Sequence, residues 1–291
     1  MNNYFLKALN QENEAPYIPV WLLRQAGRYM PEYREVRSQY KDFFEMIKKP
    51  EICKELTLQP LNAFDLDAAI TFTDILTIPD ALGLKVNFVK GKGPIFEKSL
   101  SSMDKLDLNT NEFHDKIQYV YSATSLIKEN VNVPLIGFTG SPWTLFVYMF
   151  YGQSPKDFKS IQSYISENSR DAETYLQILT DCCIEYAKRQ VQHGADCIQI
   201  FDSWAGILEN NYVDFSLKYV NQIYEALNGE VPLILYNRGK LLSTFIHESS
   251  FKAYSINSSD QIENYIDEDI TIQGNLNPDF FKKNEEEIKL K

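Results

Sequence analysis

The sequence predicts a single α/β domain of the TIM (β/α)8-barrel type, and three observations lead to this prediction. Short apolar runs alternate with longer segments of helical periodicity along all 291 residues, which is typical of parallel strands joined by helices. Nearly every run ends in polar or glycine residues, as expected where loops beyond the strands build a site. No GxGxxG motif follows a strand, so a doubly wound dinucleotide-binding sheet is not favoured.

The candidate elements follow one another without a linker, a low-complexity block or a fixed-period repeat. Strands are predicted at 19–23, 68–72, 134–138, 197–201, 231–236, 253–256 and 270–273. Helices are predicted at 50–63, 112–129, 170–193, 212–227 and 260–266, with a last helical stretch at 278–290. Seven strands are one too few for the barrel and would leave two unpaired edges. We therefore expect either an unrecognised strand or a last βα unit that is missing from residues 1–291.

Composition limits the classes of function. A formal net charge of −11 argues against a general nucleic-acid surface. We find neither a signal peptide nor an apolar stretch long enough to span a bilayer, and we expect a cytoplasmic protein. The four cysteines form no CxxC pair and no metal-ligand spacing with histidine, which favours reduced, buried thiols and no metal.

Arginine is concentrated near the N-terminus. Four of the seven arginines, Arg24, Arg28, Arg34 and Arg37, fall within 14 residues, whereas the other 22 basic residues are lysines spread along the chain. Arginine binds carboxylates and phosphates with two parallel hydrogen bonds, so this segment predicts a site for a polyanion. The alternative is a solvated helix face on which arginines pair with neighbouring glutamates, and we favour that interpretation for Arg34.

Six segments carry a resemblance to a known family. They are PVWLLRQAGR at 19–28, FTDILTIPDALG at 72–83, GKGP at 91–94, IGFTGSPWTL at 136–145 followed by Tyr148, FDSWAG at 201–206 and QGNL at 273–276. In sequence and in order they closely resemble the motifs of the uroporphyrinogen decarboxylase family. The resemblance implies a (β/α)8 barrel, usually a homodimer, that acts as a carboxy-lyase in haem biosynthesis without a cofactor or metal. Its substrate, the tetrapyrrole uroporphyrinogen, carries eight carboxylates and loses CO2 from four acetates to give coproporphyrinogen.

The resemblance also implies residue roles. Asp74 would be the central catalytic group, because a fixed carboxylate facing the pyrrole N–H groups stabilises the cationic ring that forms before CO2 leaves. The simpler interpretation of Asp74 is a helix N-cap. The implied substrate-binding residues are Arg24, Ala26 (through its backbone), Arg28, Tyr33, Arg37, Asp74, Tyr148 and Ser203. Core packing for Tyr148 and a turn hydroxyl for Ser203 are the alternatives to substrate contacts.

The C-terminal part of the family pattern has no counterpart in these residues. The family's functional histidine lies in a Gly-rich segment near the C-terminus, and none of His114, His193 and His247 falls in a matched motif. We expect that this histidine and the last βα unit are both missing, through C-terminal truncation.

Two other functions remain open. A cobamide-linked methyltransferase of the same barrel class would need a zinc site of one histidine and two cysteines. His193 and Cys197 are four residues apart, Cys197 is predicted in mid-strand, and the RQAGR motif argues against this function. The other possibility is a non-catalytic, truncated homologue that binds a tetrapyrrole without turning it over.

Overall fold

The computed structural model describes residues 3–12, 16–23, 25–89, 91–100, 110–239, 242–265, 268–283 and 286–287. Six parallel strands form one sheet in the order β1-β4-β5-β6-β7-β8, which curls into a half-barrel. The strands are β1 (Ala69–Ile70), β4 (Leu135–Gly140), β5 (Cys197–Asp202), β6 (Leu233–Asn237), β7 (Ala253–Ile256) and β8 (Thr271–Gly274). A separate antiparallel hairpin pairs β2 (Val86–Val89) with β3 (Gly93–Phe96).

Helices connect the parallel strands and pack on the sheet. They are α1 (Tyr4–Leu9), α2 (Pro31–Ser38), α3 (Phe43–Ile47), α4 (Pro50–Ala63), α5 (Thr77–Pro79), α6 (Thr110–Lys128), α7 (Pro142–Tyr151), α8 (Lys159–Glu167), α9 (Ser169–Gln192), α10 (Lys218–Leu227) and α11 (Leu242–Phe245). Proline in the first turn starts α2, α4 and α7, because its fixed φ suits a position whose N–H has no partner within the helix. Asp80–Leu84 continues α5 and ends in a kink at Gly83, whose φ is +95°, and the π-helical segment Val213–Leu217 precedes α10.

The α/β class and six of the seven predicted strands are confirmed. The predicted strand at 19–23 is wrong: the segment lies beside β1 but does not join its ladder. Val20 exchanges hydrogen bonds of 2.8 Å with the backbone N–H and the side chain of Asp67. The Gln25 side-chain amide donates to the carbonyl oxygen of Ala68 at 2.6 Å and its oxygen accepts from the N–H of Ile70 at 3.4 Å. These side chains occupy the edge of β1 where a neighbouring strand would pair.

The same segment also reaches the other edge of the sheet. The indole N–H of Trp21 donates to the side-chain oxygen of Gln273 in β8 at 2.9 Å. The segment therefore contacts both edge strands, β1 and β8. Closure into an eight-stranded barrel, the absence of a last βα unit and a single domain over 1–291 stay predictions.

The predicted helix at 260–266 is wrong in type, because the structure has a 3-10 turn at Ile262–Tyr265. The predicted helical stretch at 278–290 begins with a 3-10 turn at Pro278–Lys282 and is helical at Glu286 and Glu287. Its other residues beyond Lys283 lie outside the described part of the chain.

The amino-terminal end of the sheet is covered and its carboxyl-terminal end is open. α1 packs on residues at or just before the starts of five strands, in a cluster of Phe5, Leu9, Ala68, Ile136, Cys197, Ile234 and Ala253. Because parallel strands end on the same edge, the residues that follow β1, β4, β5 and β6 meet at the open end. All four cysteines are buried and free, as predicted. Among the described helices, none is both long and apolar enough to cross a membrane.

Candidate active site

Asp74 lies beyond β1 at the open end of the sheet. Its Oδ1 atom accepts a hydrogen bond of 2.8 Å from the N–H of Leu76, and its carbonyl oxygen accepts one of 3.2 Å from Thr77. α5 begins at Thr77 with Leu76 as its N-cap residue, so Asp74 caps the turn that leads into the helix, two residues before the position where the predicted N-cap role would place it. None of the described residues donates a hydrogen bond to its Oδ2 atom.

The electrostatics of Asp74 are those of a desolvated carboxylate. Burial raises the pKa of Asp74 to about 6, and the hydrogen bond from Leu76 opposes only part of that shift. Its charge in turn raises the pKa of both Tyr148 and Tyr186, so these phenols lie close to it. A carboxylate with a raised pKa at the open end of a sheet is typical of a functional group.

Tyr148 lies on α7, which follows β4. It is half-buried, and its ring packs edge-on against Trp204 with the centroids 5.9 Å apart. Burial raises the pKa of Tyr148 and the charge of Asp74 raises it further, whereas Trp204, Ser154 and Arg238 lower it. Tyr148 therefore packs partly against the core and also lies beside Asp74. Its contact with a substrate stays a prediction.

Tyr33 lies on α2 and is almost fully buried. Its ring contacts Phe72, two residues before Asp74, with the centroids 5.8 Å apart. Burial raises the pKa of Tyr33, and the charges of Arg37 and Arg28 lower it, so both arginines lie near the phenol. The ring is thus part of the wall beside β1.

The described arginines of the N-terminal cluster differ in their surroundings. Arg28 is exposed, and Arg37 is half-buried and donates to the carbonyl oxygen of Tyr40 at 2.7 Å. Arg34 is exposed and donates to the carbonyl oxygens of Arg28 and Tyr29 at 2.8 and 3.1 Å. Arg34 therefore stabilises the turn that carries Arg28. Arg24 lies outside the described residues.

Ala26 lines a small cavity in the curl of the sheet. The cavity has a volume of about 150 Å³, and its other walls include Gln25, Thr73, Phe138 and Phe201. Sites for drug-sized ligands have about 300–1,000 Å³. This cavity is smaller than that range.

Ser203 follows β5 and is half-buried next to a fully buried carboxylate. Asp202 accepts hydrogen bonds of 2.7 Å from the hydroxyls of Ser141 and Ser216 on its two oxygens. Burial raises the pKa of Asp202 to about 6, and the hydroxyls lower it only in part. Ser141 is also the N-cap of α7, so Asp202 joins the end of β5 to the helix that carries Tyr148.

The structure thus brings the predicted residues to one end of the sheet in three groups. Asp74 and Tyr148 form the first, Tyr33 with Arg28 and Arg37 the second, and Ser203 with its neighbours the third. The predicted site did not include Asp202 and Arg238, although both belong to polar clusters at strand ends. The sequence shows that these two residues belong to polar clusters at strand ends. It does not show what surrounds their side chains in the folded protein.

Comparisons with known proteins identify the family of the chain. The family model for uroporphyrinogen decarboxylase (URO-D) matches residues 1–291. The chain belongs to the uroporphyrinogen decarboxylase family. Relatives with that name are 39% identical in Francisella tularensis subsp. novicida (99% of this chain, 86% of the relative) and 40% identical in Hydrogenovibrio crunogenus (95% and 82%). A third, from Ruthia magnifica, is 46% identical over 76% of this chain and 66% of the relative.

A solved structure supports the fold. A methyltransferase from Methanosarcina mazei superposes with a TM-score of 0.75 over 93% of this chain and 81% of that chain, at 20% identity. This likeness concerns the fold alone. Within the described residues, no three His, Cys, Asp or Glu side chains cluster as metal ligands, and burial raises the pKa of the Cys197 thiol. The family model and the relatives named uroporphyrinogen decarboxylase do not favour the methyltransferase alternative.

Proposed function

We propose that this chain is a carboxy-lyase that converts uroporphyrinogen III to coproporphyrinogen III in porphyrin and haem biosynthesis. Asp74 carries the proposal: its desolvated carboxylate stands at the open end of the sheet, in a chain that matches the family over residues 1–291. Each of the four acetates would take up one proton and release one CO2, leaving a methyl group.

The proposed decarboxylation requires a fixed negative charge near the pyrrole rings. Protonation of a pyrrole at carbon gives a cationic ring, and this ring accepts the electron pair when the bond to CO2 breaks. The Oδ2 atom of Asp74 would face the pyrrole N–H groups and stabilise the positive charge. Because this charge develops on the way to the transition state, the interaction raises the rate and not only the affinity.

The remaining predicted residues would bind the periphery of the substrate. Arg24, Arg28 and Arg37 would bind carboxylates, and Tyr148 and Ser203 would donate hydrogen bonds to them. Tyr33 and the backbone of Ala26 would contact the macrocycle. The exposed guanidinium of Arg28 and the proximity of Tyr148 to Asp74 support these assignments.

Anaerobic incubation with uroporphyrinogen III and no added metal tests the function. We expect release of CO2 and formation of coproporphyrinogen III. Chromatography of the oxidised porphyrins measures the product. Tight binding without product would select the non-catalytic alternative. Stoichiometric zinc with no decarboxylation would select the methyltransferase.

The pKa of Asp74 predicts the acid limb of the activity profile. Since burial raises this pKa to about 6, lowering the pH through 6 protonates the carboxylate and removes the charge. We expect kcat/KM, which reports the pKa values of the free enzyme, to fall about tenfold per pH unit below 6. Initial rates at subsaturating substrate between pH 5 and 8 measure this, and a profile that is flat to pH 5 would contradict the role of the ionised form.

We further propose that the chain acts as a homodimer in the cytoplasm, without a cofactor or metal, and binds neither nucleic acid nor membranes. The family's usual assembly supports the dimer. The net charge of −11 supports the exclusion of nucleic acid and anionic membrane surfaces.

A further inference from the structure

Arg238 is placed differently from the other arginines outside the N-terminal cluster. Arg170 and Arg189 lie exposed on the outer helix α9, whereas Arg238 directly follows β6 at the open end of the sheet. Its backbone N–H donates to the carbonyl oxygen of Asp202 at the end of β5, at 3.3 Å. Arg238 therefore stands on the same edge as Ser203 and Asp74.

Contacts from both neighbouring strand ends hold this stretch of backbone. On one side, a Cβ atom added at Gly206 would lie 2.8 Å from the carbonyl oxygen of Arg238, so only glycine permits the approach. On the other side, the Asn257 side-chain amide donates to the carbonyl oxygens of Asn237 and Gly239 at 3.1 and 3.4 Å. These contacts consequently fix the backbone from which the Arg238 side chain extends.

The Arg238 side chain is exposed, and its charge is uncompensated within the part of the chain that the structure describes. No carboxylate of these residues forms an ion pair with its guanidinium, in contrast to Lys128, which binds Asp196 at 2.6 Å. The charge of Arg238 lowers the pKa of Tyr148, the same phenol whose pKa the charge of Asp74 raises. Arg238 and Asp74 therefore both act on the space around Tyr148.

We propose that Arg238 binds a carboxylate of the tetrapyrrole that is not the one being decarboxylated, as an anion-binding residue separate from the N-terminal arginines. The inference rests on the proposed function. A carboxylate that leaves as neutral CO2 loses its charge on the way to the transition state. An arginine bound to it would stabilise the ground state more than the transition state and slow the reaction. A retained carboxylate keeps its charge throughout, and the arginine then adds affinity without changing the barrier.

Three variants test the proposal: Arg238→Gln, Arg238→Lys and, as matched control, Arg170→Gln on α9. We expect Arg238→Gln to raise the KM for uroporphyrinogen by about 10- to 100-fold, with kcat within about twofold of wild type, because hydrogen bonds between charged groups contribute at this level. Lysine keeps the charge but loses the two parallel hydrogen bonds, so its KM should be intermediate. The control should match wild type. Unchanged melting temperatures would establish that all three variants fold.

Two results would overturn the assignment. A wild-type KM in Arg238→Gln would show that the residue does not contact the substrate. A kcat that rises in Arg238→Gln would show that it binds the reacting carboxylate. If the wild-type chain releases no CO2, the proposed function fails by itself, and the equilibrium affinity of the three variants for uroporphyrinogen then decides whether Arg238 binds it.

Discussion

Asp74→Asn should lower kcat for CO2 release from uroporphyrinogen by about 10²- to 10³-fold, while KM changes by only a few-fold. Asparagine has nearly the same size, and its side-chain oxygen can still accept the hydrogen bond from Leu76. It lacks the negative charge that would stabilise the cationic ring. Removal of one preorganised electrostatic group typically has an effect of this size. Steady-state kinetics at pH 7.5 measures both constants, and normal turnover would refute the role.

The stability of Asp74→Asn shows whether a loss of activity comes from the lost charge or from a loss of folding. The pKa of Asp74 is raised from 3.8 to about 6 in the folded protein, so the folded state binds more protons than the unfolded state in this range. Stability therefore falls as the pH rises from about 4 to 6, and the ionised carboxylate costs about 1–3 kcal/mol at neutral pH. Asp74→Asn should melt at a higher temperature than wild type at pH 7.5.

A matched exchange serves as the control. Asp80 lies six residues further on and pairs with Lys48 at 3.0 Å. We expect Asp80→Asn to leave kcat unchanged. Equal losses of kcat in both variants, or a lowered melting temperature in Asp74→Asn, would contradict a specific charge effect at Asp74.

Local sequence patterns predict most of the sheet. Six apolar runs become strands within one or two residues of their predicted bounds. The inner strands β4 and β5 are almost wholly buried between neighbouring strands and helices, which agrees with their continuous apolar sequence. The run at 19–23 has a similar composition but meets an edge already occupied by the side chains of Asp67 and Gln25. Those contacts join residues 43–47 positions apart, so no local pattern contains them.

The candidate site, too, can be predicted from the sequence only in part. The motif around Asp74 and the rule that loops beyond strands build the site predict a site at the carboxyl end of the sheet, where Asp74, Tyr148 and Ser203 lie. The sequence does not show which strand-end side chains are buried and which are free. Asp202 is buried and binds hydroxyls from two distant segments, whereas Arg238, one residue beyond the end of the adjacent strand β6, is exposed. Only the tertiary contacts distinguish a structural carboxylate from a free cation.

Asp202→Ala should lower the free energy of unfolding by about 2–4 kcal/mol. The substitution leaves the buried hydroxyls of Ser141 and Ser216 without an acceptor, and each unsatisfied group costs about 1–3 kcal/mol. Burial raises the pKa of Asp202 to about 6, so the ionised carboxylate is unfavourable at neutral pH. Loss of this charge offsets part of the cost. Urea unfolding at pH 7.5 measures the difference. We also expect a lower kcat, because Ser141 caps the helix that carries Tyr148.

Asp202→Asn is the control that identifies the cause. The amide fills the same volume, keeps one acceptor for a hydroxyl and removes the buried charge, so it should lose less than half as much stability as alanine. If the hydrogen bonds position α7, kcat should follow stability in this series, with asparagine closer to wild type. Equal destabilisation by both substitutions would mean that the negative charge itself holds the cluster together. Wild-type kcat in a destabilised Asp202→Ala protein would mean that α7 keeps Tyr148 in place without this carboxylate.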